Sequence, residues 1–110
     1  MESYDVIIIG AGPAGLSAAL YALRGNLKTL ILENDTPGGK VVKTSEITNW
    51  PGIIQVDGPT LAYNMYEQVL SLNAVYKYGR VIKIQNRKKD KIVYTDNSKD
   101  EEGNVKVYAS

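Results

Sequence analysis

Three features of this 110-residue sequence predict an α/β fold in which a parallel βαβ unit is followed by a small antiparallel β-meander. The run Tyr4–Ile9 is almost wholly apolar and rich in β-branched residues, the pattern of a strand covered on both faces. Leu16, Ala19, Leu20 and Leu23 then recur at helical spacing, while Ala14, Ala18 and Ala22 keep that helix slim enough to lie close on a sheet. From Val75 onward the period changes to alternation, through Val81, Ile82 and Ile84, then Ile92, Val93 and Tyr94, then Val105 and Val107.

Taken in order, Tyr4–Ile9 reads as a central parallel strand and Gly25-Asn26 as the end of the first helix. Thr29–Glu33 is a second short buried strand, and strand, helix and strand in this span make a βαβ unit with an expected right-handed crossover. Residues 34–58 hold two glycine-proline clusters and no strong period, the mark of a long structured loop with a use. Gly58-Pro59 opens the next helix, with Leu61, Met65, Val69 and Leu72 as its buried stripe. The polar stretch Thr95–Asn104 is the last connection of the meander. The inventory is therefore two parallel strands, two helices and the meander, within one domain.

Composition narrows the chemistry. With 44% apolar and 23% charged residues the chain has the make-up of a packed globular domain. Zero Cys and zero His remove from this stretch any disulfide framework, zinc site, thiol nucleophile or Ser-His-Asp triad, so no catalytic residue and no metal site are expected in it. The net charge of +1 hides an asymmetry. Residues 1–76 carry 4 basic and 7 acidic side chains, and residues 77–110 carry 9 and 5. Much of the surplus lies in Arg87, Lys88, Lys89 and Lys91, a short run without interleaved aromatics that reads as a solvated turn rather than a nucleic-acid surface. Val6–Leu23 is 18 residues without a charge, but Gly10, Gly12, Pro13 and Gly15 break it and Glu2 and Asp5 precede it. A buried strand and helix fit better than a membrane span, and the chain reads as soluble and cytoplasmic.

Gly10-Ala11-Gly12-Pro13-Ala14-Gly15 has G-x-G-x-x-G spacing in the context that gives that spacing meaning, after a buried strand and at the start of a helix. This is the Rossmann-like arrangement. Gly10 makes the tight turn, Gly12 lets backbone approach a pyrophosphate, and Gly15 lets helix meet strand. Pro13 fits the first helical turn, whose N–H groups have no partner inside the helix and face the phosphates. Glu33 ends the second strand, where its carboxylate can accept from both hydroxyls of an adenosine ribose and repel a 2′-phosphate. FAD or NAD fits such a site, and NADP does not. The long loop favours FAD, since a simple dehydrogenase half needs only a short connection there.

Gly10–Gly15, Gly38-Gly39, the segment Glu46-Ile-Thr-Asn-Trp-Pro-Gly52 and Asp57-Gly58 before a helix together resemble the N-terminal part of the FAD domain of the low-molecular-weight thioredoxin reductase family, including relatives that reduce ferredoxin or flavodoxin. The resemblance covers residues 3–85. It implies a three-layer ββα-type flavoprotein domain in truncated form: residues 1–110 are its N-terminal segment, and the NADPH domain with the redox-active Cys-x-x-Cys pair and the C-terminal FAD segment lie outside the chain. The implied parent is an NADPH-dependent flavoprotein disulfide reductase, most closely thioredoxin reductase, a homodimer with thioredoxin or a similar redox protein as partner. A ferredoxin or flavodoxin NADP reductase and an isolated non-catalytic FAD or NAD module remain the alternatives.

Residue by residue, the resemblance puts Gly10, Ala11, Gly12, Pro13, Ala14 and Gly15 on the FAD pyrophosphate and Glu33 on the ribose. Gly38, Gly39, Lys40 and Asn49 fall near the ribityl chain and flavin ring, and Val81 meets the adenine through its backbone. Trp50 reads as a hydrophobic anchor for the loop. Lys40 departs from the family pattern, which has Gln there; its ammonium either turns outward or adds positive charge near the flavin. The 110 residues alone are expected to lack reductase activity and to bind FAD weakly at best.

Overall fold

The N-terminal segment forms two strands in two different sheets, and only Val6–Ile9 of the expected strand Tyr4–Ile9 is one of them. In the computed structural model, which describes residues 2–35, 37–96 and 105–110, and the side chains of these except Val41 and 105–109, β1 is Glu2–Ser3 and β2 is Val6–Ile9. Between them the chain switches layers at Tyr4 and Asp5. The Asp5 N–H donates to the Lys28 carbonyl at 2.8 Å, and the Lys28 N–H donates to the Asp5 carboxylate at the same distance. An acidic residue that hydrogen-bonds the backbone just ahead of the neighbouring strand is a natural place for the break.

After β2 come α1 (Pro13–Arg24), β3 (Thr29–Glu33), a 3₁₀ turn at Gly39–Lys43, α2 (Gly58–Ser71), β4 (Val75–Tyr78), β5 (Arg80–Asn86), β6 (Lys91–Asp96) and β7 (Val105–Ala109). One sheet is parallel with order β2-β3-β4; the other has order β1-β7-β6-β5, antiparallel except where β1 pairs parallel with β7. Two expectations are corrected here. The parallel sheet has three strands, because Val75–Tyr78 pairs parallel with Leu30–Glu33 and does not belong to the alternating region. Consequently β3 is the middle strand among the described residues and β2 lies at an edge, with Ile9 half exposed.

The side chains of β3 show why the fold is three layers deep. All five of its residues are buried. Ile31 points into the helical layer, where it packs with Ile8, Ala11, Leu16, Ala19 and Val69. Leu30 and Leu32 point the other way, against Tyr4 and Val93 of the second sheet, with Val81 at the margin. Each fully buried aliphatic side chain of this kind contributes about 1.5 to 3 kcal/mol over its exposed state. The meander, the parallel sheet and the helices are thus held by two apolar seams that share one strand.

α1 ends at Gly25, whose N–H reaches back to Tyr21 and Ala22. α2 begins after Asp57, whose carboxylate caps it by accepting from the Thr60 N–H at 2.8 Å and the Thr60 hydroxyl at 2.7 Å. Its expected stripe shortens: Leu61 and Val69 are buried and Met65 half buried, but Leu72 falls past the last helical turn and is exposed. In the meander, β5 and β6 slip register between Val81 and Lys83, which leaves Ile82 unpaired and half exposed. The basic run forms the hairpin turn between them, with Arg87 holding Asp90 through two bonds of 2.6 and 2.8 Å. β6 reaches Asp96, so the final connection starts later than Thr95, and its remainder at 97–104 lies outside the described residues. No helix among the described residues is long and apolar enough to cross a membrane, and the uncharged stretch Val6–Leu23 divides between β2 and α1.

Candidate functional site

The carboxyl ends of the parallel strands bring three separated pieces of sequence together. β2 stops at Ile9, and Gly10 turns the chain with a φ of 99°, its N–H donating to the Leu32 carbonyl at 2.8 Å. Gly12 is the N-cap of α1 and provides no side-chain cap, and no acidic residue lies in the first turn. Its carbonyl accepts from the Leu16 N–H at 2.9 Å, so the N–H groups of Ala14 and Gly15 have no acceptor within the helix. They mark the positive end of the α1 dipole.

The three motif glycines answer to three different constraints. Gly10 has a backbone that L side chains rarely adopt. At Gly15 a Cβ would land on the Gly10 carbonyl oxygen and within 3.2 Å of Ile8 Cγ2, so the close approach of helix to strand excludes any side chain. Gly12 is different: its φ of −76° suits any residue, and a Cβ there would meet no protein atom within 4 Å. Nothing among the described residues requires a glycine at this position.

Glu33 closes the floor of the site. It is the last residue of β3, 9% exposed, and its carboxylate accepts from the Ala11 N–H at 3.3 Å and from the Asn34 N–H at 2.9 Å. Its own carbonyl accepts from the Gly79 N–H at 2.9 Å, which holds the start of β5, and with it Val81, beside the same strand end. The nearby Tyr76 hydroxyl is pushed well above the ordinary tyrosine range, first by burial and then by the Glu33 carboxylate, so it stays protonated.

Gly38 and Gly39, both with positive φ, carry the long loop back onto the glycine turn. The Gly38 N–H donates to the Ala11 carbonyl at 2.6 Å. A Cβ on Gly38 would fall onto Ala62 Cβ of α2, and one on Gly39 would come within 3.3 Å of Gly12 Cα. The predicted positions Gly10–Gly15, Glu33, Gly38 and Gly39 therefore form one contiguous surface, with Val81 adjoining it through Gly79. Lys40 is the second residue of the 3₁₀ turn that Gly39 begins, and is exposed. Asn49 is exposed too, and lines a neighbouring hollow of about 560 Å³ with Thr44, Glu46 and Trp50. Trp50 is half buried and also lines a hollow between the helices with Leu16, Leu20 and Met65. Gly79 and Ala62 were not singled out from the sequence. Gly79 lies two residues before Val81, the position that the resemblance singled out, and nothing local marks Ala62.

A parallel βαβαβ layer with a glycine turn at a helix N-terminus, an acidic residue ending the second strand, and a β-meander stacked on the far face defines a nucleotide-binding α/β domain. Residues 4–109 match the family model described as pyridine nucleotide-disulphide oxidoreductase, and the chain belongs to that family. It is 41% identical over 107 residues to a thioredoxin reductase of Mycoplasma genitalium, covering 97% of this chain and 34% of that protein. To the thioredoxin reductase of Ureaplasma parvum it is 51% identical over 90 residues, covering 82% and 29% respectively. The solved structure of thioredoxin reductase from Streptococcus pyogenes superposes with a TM-score of 0.85 at 42% identity, over 96% of this chain and 33% of that one. The chain thus spans about a third of the length of the relatives it matches.

Proposed function

We propose that the chain is the N-terminal, FAD-binding portion of an NADPH-dependent flavoprotein disulfide reductase of the thioredoxin reductase type. The observation that carries this reading is Gly12, a glycine that no contact among the described residues and no backbone angle demands. A ligand approaching the backbone more closely than a Cβ would permit supplies the missing reason. The second glycine pair points the same way, since Gly39 packs on Gly12 and lengthens the surface beyond what a short ligand would use.

FAD held here would supply redox chemistry between NADPH and a disulfide. The role of this chain is to hold and orient it. The N–H groups of Ala14 and Gly15 bind the pyrophosphate at the positive end of α1. Glu33 accepts from the adenosine ribose hydroxyls while the Ala11 N–H keeps its carboxylate aimed. Gly38, Gly39, Lys40 and Asn49 line the path of the ribityl chain and ring, and the Val81 backbone meets the adenine. The thiol pair, the NADPH site and the catalytic residues belong to the remaining two thirds of such a protein, a cytoplasmic homodimer acting on thioredoxin.

The test uses the full-length protein. A flavin absorbance spectrum near one FAD per chain, with NADPH-dependent reduction of thioredoxin, is the expected result. Retention of NAD in preference to FAD refutes the flavin reading, and reduction of ferredoxin or flavodoxin without a Cys-x-x-Cys pair reassigns the electron partner.

A further inference from the structure

β5 ends its sheet. The order β1-β7-β6-β5 pairs one side of it with β6 and leaves the other without a strand beside it among the described residues. Such an edge presents a row of unpaired N–H and C=O groups, a template for another chain. Six of its seven residues are exposed, among them Ile82 at 50% and Ile84 at 54%. Its neighbour β6 buries both Ile92 and Val93. Ile84 stands opposite Val93 in register and therefore on the same face, and Val93 packs with Tyr4, Leu30 and Leu32 between the sheets. That apolar seam runs out to Ile84 and stops at the open edge. A further strand beside β5 would extend the seam and cover Ile84.

Charge decides what such a strand can be. Residues 77–96 carry seven basic and two acidic side chains. Both carboxylates are already engaged, Asp96 with Arg80 and Asp90 with Arg87. Lys83 lies 5.4 Å over the Tyr94 ring, Lys91 donates to Asn86 Oδ1 at 3.2 Å, and Lys88 and Lys89 are exposed in the turn. None of these four lysines meets a carboxylate among the described residues. A second copy of β5 does not suit the edge: antiparallel pairing of two such strands about their midpoint sets Lys83 against Lys83, and like charges directly opposite are destabilising. Nucleic acid would answer the charge but not the isoleucines or the free backbone, and the turn has no aromatic side chain for bases to stack on. A peptide strand with carboxylates answers all three. Lys83 and Ile84 are neighbours and point to opposite faces, so the matching strand alternates acidic and apolar side chains.

We propose that β5 is the docking edge for an extended acidic segment of a partner protein, which joins the meander as a fifth strand of its four-stranded sheet. The basic hairpin turn, by itself a solvated feature, supplies the charge that selects this partner and repels a second copy. The flavin reading is not required by it.

Fluorescence anisotropy of a labelled peptide of alternating glutamate and valine, seven residues long like β5, tests this on the full-length protein. Binding is expected with a dissociation constant on the order of 0.1 mM, since the peptide orders only when bound. Lys88→Glu combined with Lys89→Glu weakens it about tenfold, and Ile84→Thr weakens it severalfold while keeping a strand-forming residue. Arg24→Gln, a lost charge on α1, leaves it unchanged. The same peptide N-methylated throughout keeps its charges and side chains but has no N–H to pair, and binds at least about tenfold more weakly. Equal binding of the methylated peptide overturns strand addition, because charge alone then accounts for the contact. A double lysine variant that binds as the wild type does, or a wild type that binds no peptide up to about 1 mM, overturns the proposal outright. A seven-nucleotide oligothymidylate that binds more tightly than the peptide also overturns it and assigns the surface to nucleic acid.

Discussion

Gly12→Ala and Gly15→Ala insert the same methyl group three residues apart, and the geometry assigns them opposite consequences. At Gly15 the new Cβ lands on the Gly10 carbonyl oxygen and presses on Ile8 Cγ2 at 3.2 Å. The obstacle is backbone, so α1 must move off the sheet and give up contacts of Leu16 and Ala19, both at most 1% exposed. Overpacking of a close-fitted seam costs about 1 to 3 kcal/mol, and the rigidity of a backbone obstacle sets the expectation at or above about 3 kcal/mol. At Gly12 the new Cβ meets nothing, and the φ of −76° is one that alanine adopts freely. The poorer N-cap is offset by the smaller backbone entropy of the unfolded chain, so the net change in stability stays within about 1 kcal/mol. The same methyl group occupies the space through which a pyrophosphate approaches α1, and FAD affinity falls tenfold or more, equivalent to at least about 1.4 kcal/mol. Equilibrium denaturant unfolding of the flavin-stripped proteins measures the first effect and FAD titration measures the second. A Gly15→Ala protein as stable as wild type refutes the packing argument, and a Gly12→Ala protein that binds FAD normally removes the observation on which the functional proposal stands.

Further outcomes follow from the same geometry. Glu33→Ala strands the buried Ala11 N–H and destabilises the flavin-free protein by about 1 to 3 kcal/mol, whereas Glu33→Gln keeps an acceptor oxygen and costs less; denaturant unfolding ranks the two. Glu33→Gln also narrows the preference for ADP over its 2′-phosphorylated counterpart, measured by competition with FAD. Leu32→Ala empties a site in the seam between the two sheets and costs about 2 to 5 kcal/mol, read from the unfolding midpoint at unchanged slope. The Asp57 carboxyl is held below its ordinary value by the two Thr60 hydrogen bonds, so its cap contributes stability above the unfolded carboxylate pKa and loses it as pH falls through the depressed folded value. Asp57→Asn therefore differs from wild type in stability at neutral pH, and the difference shrinks on acidification below the usual carboxylate range.

The parts of the site that depend on local chemistry were readable in the amino-acid order alone. The glycine turn, its strand before and helix after, the acidic end of β3 and the proline start of α2 all follow from backbone freedom, periodicity and capping within a few residues of each other. Strand partners are another matter. Val75–Tyr78 has the alternation of a meander strand, yet it pairs parallel with β3 because α2 delivers it to that edge while Tyr76 packs against Tyr66 and the helical layer. Likewise nothing in the sequence marks Glu2–Ser3 as a strand, and only the long-range bonds between Asp5 and Lys28 and the pairing of β1 with β7 set Glu2–Ser3 and Val6–Ile9 in two different sheets. Tertiary structure alone also decided that Gly38 must be a glycine, through Ala62, and that no contact among the described residues demands one at Gly12. Backbone angle and periodicity are properties of neighbours in sequence and can be read there. Which surfaces meet, and how closely, depends on every layer packed between them, and a contact between residues some twenty positions apart leaves no mark at either one.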